Sequence, residues 1–313
     1  MYRIFDFSLA CDMPLPELSE TNNADQIINV QRGRRVVNRA MELQWSHEWH
    51  DEAGEVCIKY GRSDKDILLQ FPNVIDFLIS CSGDTIHYFP EPDVPEEMVR
   101  HLLLDQVIPR IAGHKGRLVL HASAVVCDHG AIIFLGDTGS GKSTLAAGFC
   151  MHDYEIMTDD CILLSPESDR IMCIPCYPGI RLWDDSYTAV VNDDRYLSKI
   201  SYYAEKRRLH LQDAQKVRHI ATSLNAVFIL DDKIRPEQDS QITIVPVSGA
   251  AAVMDIIKQS FVLDVHDKER MGKLFAIATV IANSGVKIYR LGYPHDYQML
   301  NNVQQAVVQT LKI

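Results

Sequence analysis

The 313-residue chain is 47% hydrophobic and 23% charged, proportions that are typical of a folded globular protein and exclude a disordered chain. Its 31 Lys and Arg against 42 Asp and Glu give a net charge of −11, which argues against a nucleic-acid binder and against adsorption to anionic lipid, because both need a basic surface. The length fits one or two domains, and no apolar run approaches the roughly 18 residues of a membrane span, so we expect no membrane partner.

The start of the chain and its eight cysteines indicate a cytoplasmic protein. Residues 1–18 show no basic segment followed by a long apolar run, so we expect no secretory signal peptide. Several cysteines lie inside apolar, strand-like runs, where a reduced thiol packs as a small hydrophobic group. A reduced, cytoplasmic protein is the simpler interpretation.

The first third of the chain has short β-like segments that are rich in β-branched and aromatic residues and are separated by turn residues. Pro90, Pro92 and Pro95 then interrupt the chain, and a helical pattern with acids in its first turn follows. We predict a β-rich N-terminal domain over 1–95 and a connecting helix over 96–117.

From residue 118 the pattern changes to short, nearly continuous apolar runs, which are typical of strands buried on both faces. The first two runs flank a hairpin-like turn at 127–130. Further strands are predicted over 226–232, 241–247 and 286–291, and helices over 248–262, 267–282 and 295–311. This alternation predicts an α/β domain over 118–313, in which the polar, charged stretch 192–220 is interpreted as a mobile loop.

The strongest motif is a glycine-rich loop that matches G-x-x-x-x-G-K-[ST] and lies between a predicted strand and a predicted helix. Its residues are Gly136, Asp137, Thr138, Gly139, Ser140, Gly141, Lys142 and Ser143, and Thr144 follows. The glycines let the backbone curl so that its N–H groups face phosphate oxygens, and the helix start adds a positive dipole. The motif assigns Lys142 to the β- and γ-phosphates of a nucleotide and Ser143 to Mg²⁺. The alternative is a glycine-rich turn that binds nothing.

An acidic pair, Asp159 and Asp160, follows Lys142 by 17 and 18 residues, and apolar residues resume at once. We expect the pair at or within a strand next to the strand that precedes the loop, which would bring both carboxylates to the phosphate end of the nucleotide. Adjacent strand residues point to opposite faces, so one carboxylate could ligate Mg²⁺ while the other accepts a proton from an incoming hydroxyl. The alternative is a solvated turn with two acids.

His121, the glycine-rich loop and the acidic pair together resemble the catalytic domain of the HPr kinase/phosphorylase family, which belongs to the same broad group as ATP-dependent phosphoenolpyruvate carboxykinase. The specific match covers about residues 118–185, and the match over the N-terminal part is vaguer. The resemblance implies a P-loop kinase domain of this type behind the β-rich N-terminal domain. It also implies ATP and Mg²⁺ as cofactors and the serine hydroxyl of a peptide or small protein as phosphoacceptor.

The resemblance assigns a role to each candidate residue. Asp159 matches the catalytic base toward the serine hydroxyl, and Asp160, with Ser143, is the Mg²⁺ candidate. His121 matches a strand histidine beside the transferred phosphate, whereas by itself it would be a satisfied core histidine. Arg181 is a candidate for stabilising the transferring phosphoryl group together with Lys142, and an exposed arginine at a strand end is the equally good alternative.

Two further stretches bear on the reaction. The basic cluster at 206–208 (Lys206, Arg207 and Arg208) resembles a lid over phosphates or acceptor, although composition alone indicates a solvated charge run. Residues 176–183 lack the Glu, Arg and Gly signature of the bifunctional enzymes, because Pro178 and Gly179 stand in place of its polar part. We therefore expect a kinase without phosphorylase activity.

Two other functions stay open. The chain could be a kinase of a small hydroxylated metabolite, or a nucleotide-binding regulatory module that transfers no phosphate. The sequence does not name the acceptor and leaves open whether the chain forms a homo-oligomer.

Overall fold

The computed structural model describes residues 1–34, 43–50, 54–152, 154–177, 179–190, 197–199, 206–209, 217–234 and 241–312. The protein is a mixed α/β structure whose described residues form two eight-stranded sheets and one three-stranded sheet. It divides into two compact units, the first made of Met1–Gly116 and Val262–Arg270, the second of Arg117–Phe261 and Met271–Ile313. The segment 262–270, which the sequence alone grouped with the C-terminal part, belongs to the first unit.

The first unit is built on one of the large sheets. Its strands are β1 (Tyr2–Ile4), β2 (Phe7–Cys11), β3 (Ile27–Arg32), β4 (Gln44–His50), β5 (Val56–Arg62), β6 (Asp66–Phe71), β7 (Ile75–Ser80) and β8 (Thr85–Pro90). Their order is β1-β2-β3-β8-β7-β6-β5-β4, and β3 pairs in parallel with both of its neighbours. Residues at every second position of β7 (Ile75, Phe77 and Ile79) are buried, as expected for one face of a strand on a core.

The stretch predicted as a connecting helix over 96–117 is helical from Glu96 to His114. It consists of α1 (Glu96–Leu102) and α2 (Ile108–His114), which are joined without a break by a π-helical turn over 103–107. Glu96 and Glu97 lie in the first turn, where their charge complements the helix dipole.

The second unit contains the remaining strands. They are β9 (Leu118–Cys127), β10 (Gly130–Leu135), β11 (Glu155–Thr158), β12 (Cys161–Pro166), β13 (Ile171–Pro175), β14 (Ile180–Trp183), β15 (Leu197–Lys199), β16 (Lys206–Leu209), β17 (Thr222–Leu230), β18 (Thr243–Pro246) and β19 (Lys287–Gly292). The remaining helices of the described chain are α3 (Lys142–Met151), α4 (Asp184–Val190), α5 (Gly249–Lys258), α6 (Lys268–Asn283) and α7 (Leu300–Leu311).

The second large sheet has β10 between an antiparallel and a parallel neighbour. β9 and β10 form the predicted hairpin, with Cys127 opposite Gly130, and β17 pairs in parallel with β10 and with β19. Helices α3 and α7 supply apolar residues to the core beside these strands. Phe134 of β10 belongs to this core, and its ring centroid is 5.5 Å from that of Phe149 of α3 and 6.3 Å from that of Phe228 of β17.

Two predicted helices are shorter than the sequence suggests. The predicted helix over 248–262 is wrong at its C-terminal end, because α5 ends at Lys258 and the next residues pair with β9. There the N–H of His121 donates to the carbonyl of Gln259 at 2.8 Å, and the N–H of Phe261 donates to the carbonyl of Val119 at 2.9 Å. The helix predicted from residue 295 begins at Leu300, after a separate 3-10 turn.

The stretch 192–220, interpreted from its sequence as a mobile loop, contains β15 and β16, which form the three-stranded sheet with β14.

None of the helices in the described part of the chain combines the length and apolar character that a membrane crossing requires.

Candidate functional site

Strand β9 lies between the glycine-rich loop and the acidic pair. On one edge Ala122 is opposite Leu135, the last residue of β10 before the loop. On the other edge His121 is opposite Cys161, the first residue after the acidic pair. The pairing of a single strand therefore brings together the three segments that the sequence singles out.

The predicted position of the acidic pair needs a correction. Asp159 and Asp160 lie in the break between β11 and β12, and both of these strands pair with β9 rather than with β10. The tight β9–β10 hairpin places β9 beside β10, so only the far edge of β9 is open to the acidic segment. The Thr158 hydroxyl donates to the carbonyl of Cys161 at 2.9 Å and closes the break. Asp159 is buried, whereas Asp160 is half-exposed.

Ser123 holds the buried carboxylate. Its hydroxyl donates to Oδ1 of Asp159 at 2.6 Å, and the two residues are 0% and 4% exposed. Ser123 follows His121 by two positions on β9, so the two side chains are on the same face of the strand. Sequence analysis missed Ser123, although its signal was available: it is a polar residue in an apolar strand, in step with His121.

The His121 ring is oriented by the segment that follows α5. The Phe261 ring stacks on it, with centroids 6.0 Å apart and planes 11° apart. The backbone hydrogen bond from His121 to Gln259 fixes the same segment alongside the strand. The imidazole therefore has one face covered by an apolar ring while the side chain remains half-exposed.

The glycine-rich loop has a backbone that only glycine adopts without strain. Gly136, Gly139 and Gly141 have φ values of 150°, 78° and 93°. A Cβ at Gly141 would lie 2.9 Å from the Tyr293 hydroxyl, and one at Gly136 would lie 2.6 Å from the Ser140 hydroxyl. The curl leads directly into the first turn of α3, the arrangement in which backbone N–H groups and the helix dipole favour an anion.

Lys142 and Ser140 are buried in this loop. The Lys142 ammonium donates to the carbonyls of Gly136 at 2.8 Å and of Asp137 at 3.0 Å. The Ser140 hydroxyl oxygen is buried and has no hydrogen-bond partner within the described part of the chain. Both groups suit a polyphosphate, whose oxygens can accept from an ammonium and a hydroxyl.

Most other loop residues are more exposed than Lys142 and Ser140. Thr138 and Gly139 are exposed at the tip, and Ser143 is half-exposed in the first turn of α3. The Asp137 carboxylate accepts from Lys258 at 2.9 Å and from the Gln259 amide at 3.1 Å. The hydrogen bond from Lys258 lowers the pKa of Asp137 below its usual value, and burial acts in the opposite direction.

A chain of hydroxyl groups extends from the first turn of α3. Thr144 donates to the Ser186 hydroxyl at 3.2 Å, which is 3.0 Å from the Tyr297 hydroxyl. The buried Ser186 therefore links α3 to the turn that precedes α7. Sequence analysis assigned no role to Ser186 or Tyr297.

Arg181 is on a different sheet from His121 and the acidic pair. Its strand, β14, pairs with β16 so that Arg181 is opposite Arg208, and the next two positions along β14 are opposite Arg207 and Lys206. The side chains of these four residues lie outside the described part of the structure, and so does Pro178. The backbone thus pairs Arg181 with the basic cluster at 206–208.

A second acidic pair that sequence analysis treated only as part of a strand follows β17. Asp231 and Asp232 lie at the end of β17, which runs parallel to β10 with Ile229 opposite Leu135. Asp231 is 3.7 Å from the Arg290 guanidinium, and Asp232 is 3.3 Å from His295. Both carboxylates therefore have a cationic or ionisable partner.

The two residues that the sequence assigns to Mg²⁺, Ser143 and Asp160, are both half-exposed. Among the residues that the structure describes, no group of three or more His, Cys, Asp or Glu side chains could hold a metal ion. Mg²⁺ at phosphate sites is held by one or two protein oxygens, by phosphate and by water. Ser143 and Asp160 would supply these protein oxygens.

Among known proteins, similarity is found with solved structures. No protein-family model matches the chain, and no curated protein matches it. Among solved structures, the chain is similar to the HPr(Ser) kinase/phosphatase from Coxiella burnetii, with a TM-score of 0.34 and 12% identity, over 62% of this chain and 97% of that chain. A TM-score of this size does not establish a shared fold.

Proposed function

We propose that the protein is an ATP- and Mg²⁺-dependent kinase that transfers the γ-phosphate to a serine-type hydroxyl of a peptide or small protein. The observation that carries the proposal is the pairing of β9, which brings the glycine-rich loop to one edge of the strand and the acidic pair to the other. In this proposal the second unit is a P-loop kinase domain of the HPr kinase and phosphoenolpyruvate carboxykinase type.

The loop would hold the phosphates of ATP. Its backbone N–H groups at the start of α3 would contact the phosphate oxygens, and Lys142 would exchange the carbonyls of Gly136 and Asp137 for the β- and γ-phosphates. Ser143 and Asp160 would hold Mg²⁺, which when bound neutralises charge on the phosphate oxygens.

Asp159 would be the base toward the acceptor hydroxyl. Ser123 donates to Oδ1 of this carboxylate and so orients it, and an oriented carboxylate can accept a proton from the acceptor hydroxyl. His121 is on the same face of β9 as Ser123 and is held by Phe261, so its ring would border the position of the transferred group. These residues would act by orientation and proton transfer.

Arg181 would complete the site. Its guanidinium would stabilise charge on the transferring phosphoryl group, because its planar donors match phosphate oxygens. The pairing of Arg181 with Arg208 supports a shared role for β14 and the basic cluster at 206–208, which we propose as a lid over phosphates or acceptor.

The fate of the γ-phosphate separates this function from its two alternatives. The protein is incubated with Mg²⁺, γ-labelled ATP and a pool of serine-containing peptides, with an alanine-substituted pool as control. The proposal expects acid-stable label on the serine pool. Label on a small metabolite from an added extract would instead support a metabolite kinase, and binding of ATP without transfer would support a regulatory module.

We also propose that the reaction runs in the kinase direction only. Phosphorylated product should stay stable when the protein is incubated with excess inorganic phosphate and Mg²⁺. Release of pyrophosphate with return of the free hydroxyl would contradict this part of the proposal.

A further inference from the structure

Lys258 is the second lysine that contacts the glycine-rich loop, and the sequence motif does not include it. It is the last residue of α5, and its ammonium is 2.9 Å from Oδ2 of Asp137. The next residue, Gln259, donates its amide to Oδ1 of the same carboxylate at 3.1 Å. Both carboxylate oxygens are therefore held from the end of α5.

The contact lies at the N-terminal end of the loop, which follows the residue opposite Ala122, the neighbour of His121 on β9. Asp137 is the second residue of the loop, directly after the strand that pairs with β9. The backbone carbonyl of Gln259 also accepts a hydrogen bond from the backbone N–H of His121 at 2.8 Å. In the proposed kinase, this end of the loop must face the terminal phosphate, because the transferred group has to lie near His121 and the acidic pair.

The ion pair between Lys258 and Asp137 can exchange partners at little cost. The side chains are 63% and 69% exposed, and ion pairs between exposed side chains are weak. Lysine has a flexible four-carbon stem with a compact charge at its end. A terminal phosphate carries more negative charge than a carboxylate, so it competes well for the ammonium.

We propose that Lys258 is a second phosphate-binding residue of this site. When a nucleoside triphosphate binds, the Lys258 ammonium moves away from Asp137 and contacts the γ-phosphate. This inference rests on the proposed function. Lys142 then contacts the β- and γ-phosphates, and Lys258 contacts the γ-phosphate alone. Asp137 acts as a competing anion that holds Lys258 near the site.

The inference gives opposite effects for the two partners of the ion pair. Binding of Mg²⁺ with a non-hydrolysable ATP analogue and with ADP is measured by calorimetry for the wild type, Lys258→Met and Asp137→Asn. Lys258→Met should lower the affinity for the triphosphate analogue about tenfold, because one charge-assisted contact to the γ-phosphate is lost. The affinity for ADP, which has no γ-phosphate, should be unchanged. Asp137→Asn should retain or strengthen binding of the analogue.

Two variants serve as controls. Lys258→Arg should recover most of the affinity for the analogue, because the positive charge is kept. Arg170→Met removes a positive charge at the exposed turn between β12 and β13, at the opposite end of β12 from Cys161, and should change neither affinity.

Each other outcome overturns a defined part of the account. If Lys258→Met and Asp137→Asn both lower the affinities for ADP and for the analogue equally, or if both leave the two affinities unchanged, the ion pair only stabilises the loop and the inference is wrong. If the wild type binds neither nucleotide while remaining folded, the proposed function itself fails.

Discussion

Ser123 donates a 2.6 Å hydrogen bond to the Asp159 carboxylate, and both residues are buried. The bond joins the middle of β9 to the break between β11 and β12. It fixes the carboxylate on the face of β9 that carries His121. A hydrogen bond to a charged group is worth about 1.5–3 kcal/mol, enough to hold one orientation of the carboxylate.

Ser123→Ala should therefore slow phosphoryl transfer more than it weakens nucleotide binding. Without the hydroxyl the carboxylate loses a contact that orients it, so we expect about a tenfold lower transfer rate with unchanged affinity for Mg²⁺ and ATP. The free energy of unfolding should fall by about 1.5–3 kcal/mol in urea titrations. Ser165→Ala, on β12 beyond the site, is the matched control. An unchanged transfer rate in the destabilised variant would mean that the bond serves only the fold.

The glycine-rich loop offers a test in which two glycines with similar backbone strain differ in surroundings. Gly141 has φ 93° with the Tyr293 hydroxyl 2.9 Å from an added Cβ, whereas Gly139 has φ 78° and nothing within 4 Å of one. Positive φ costs an alanine about 1–3 kcal/mol in either case. Gly141→Ala should weaken nucleotide binding more than Gly139→Ala, as measured by calorimetry. Equal losses would show that the space beside Tyr293 is irrelevant to binding.

Lys142→Met should affect both binding and stability. The methionine keeps much of the volume but leaves the carbonyls of Gly136 and Asp137 without the ammonium that now donates to them. We expect nucleotide affinity to fall at least tenfold, an effect of about 1.4 kcal/mol or more. Unfolding should be easier by about 1–3 kcal/mol, because Lys142 is only 6% exposed. Wild-type nucleotide affinity in this variant would contradict the role of the loop.

The first unit should lose stability in mild acid through His114. Burial lowers the pKa of His114 below its ordinary value, although its Nε2–H donates to the carbonyl of Cys81 at 2.8 Å. The unfolded chain binds the proton as pH falls through about 6.5, whereas the folded state binds it only at a lower pH. The stabilisation from neutral His114 is therefore complete above that pH and is lost as pH falls through the lowered pKa of the folded state. The free energy of unfolding should therefore decrease between about pH 7.5 and about pH 5.5.

His114→Gln should make this pH dependence shallower. Urea titrations followed by tryptophan fluorescence suit the measurement, since Trp45 and Trp49 are in the first unit. His129→Gln, at the exposed turn between β9 and β10, is the control. The same slope in His114→Gln as in the wild type would assign the pH dependence to other groups.

The elements that are located best from the sequence are those in which the hydrophobic pattern and the turn or capping residues of one short segment all indicate the same structure. The hairpin at 127–130 combines two apolar runs with a short polar turn, and the connecting helix combines Pro95 with acids in the first turn. The loop has a motif whose glycines are needed for its own backbone, so it could be located without any tertiary contact. Such features are encoded within a few residues.

The features that sequence analysis missed depend on contacts between distant segments. Nothing in residues 248–262 indicates that the helix stops at Lys258, because the next residues are held by β9, more than a hundred positions earlier. The acidic pair was expected one strand too close to the loop, because the order of strands in a sheet is not visible in any one of them. The link from Ser123 to Asp159 joins two segments 36 positions apart.

The most direct test of the account is Asp159→Asn, with nucleotide binding and phosphoryl transfer measured on the same preparation. The change keeps the shape and removes the base, so the variant should bind Mg²⁺ and ATP like the wild type but transfer label to serine peptides at least a hundredfold more slowly. Asp160→Asn is the comparison and should instead raise the Mg²⁺ concentration needed for transfer. Transfer by Asp159→Asn at the wild-type rate would contradict the account, as would a loss of transfer matched by an equal loss of nucleotide affinity.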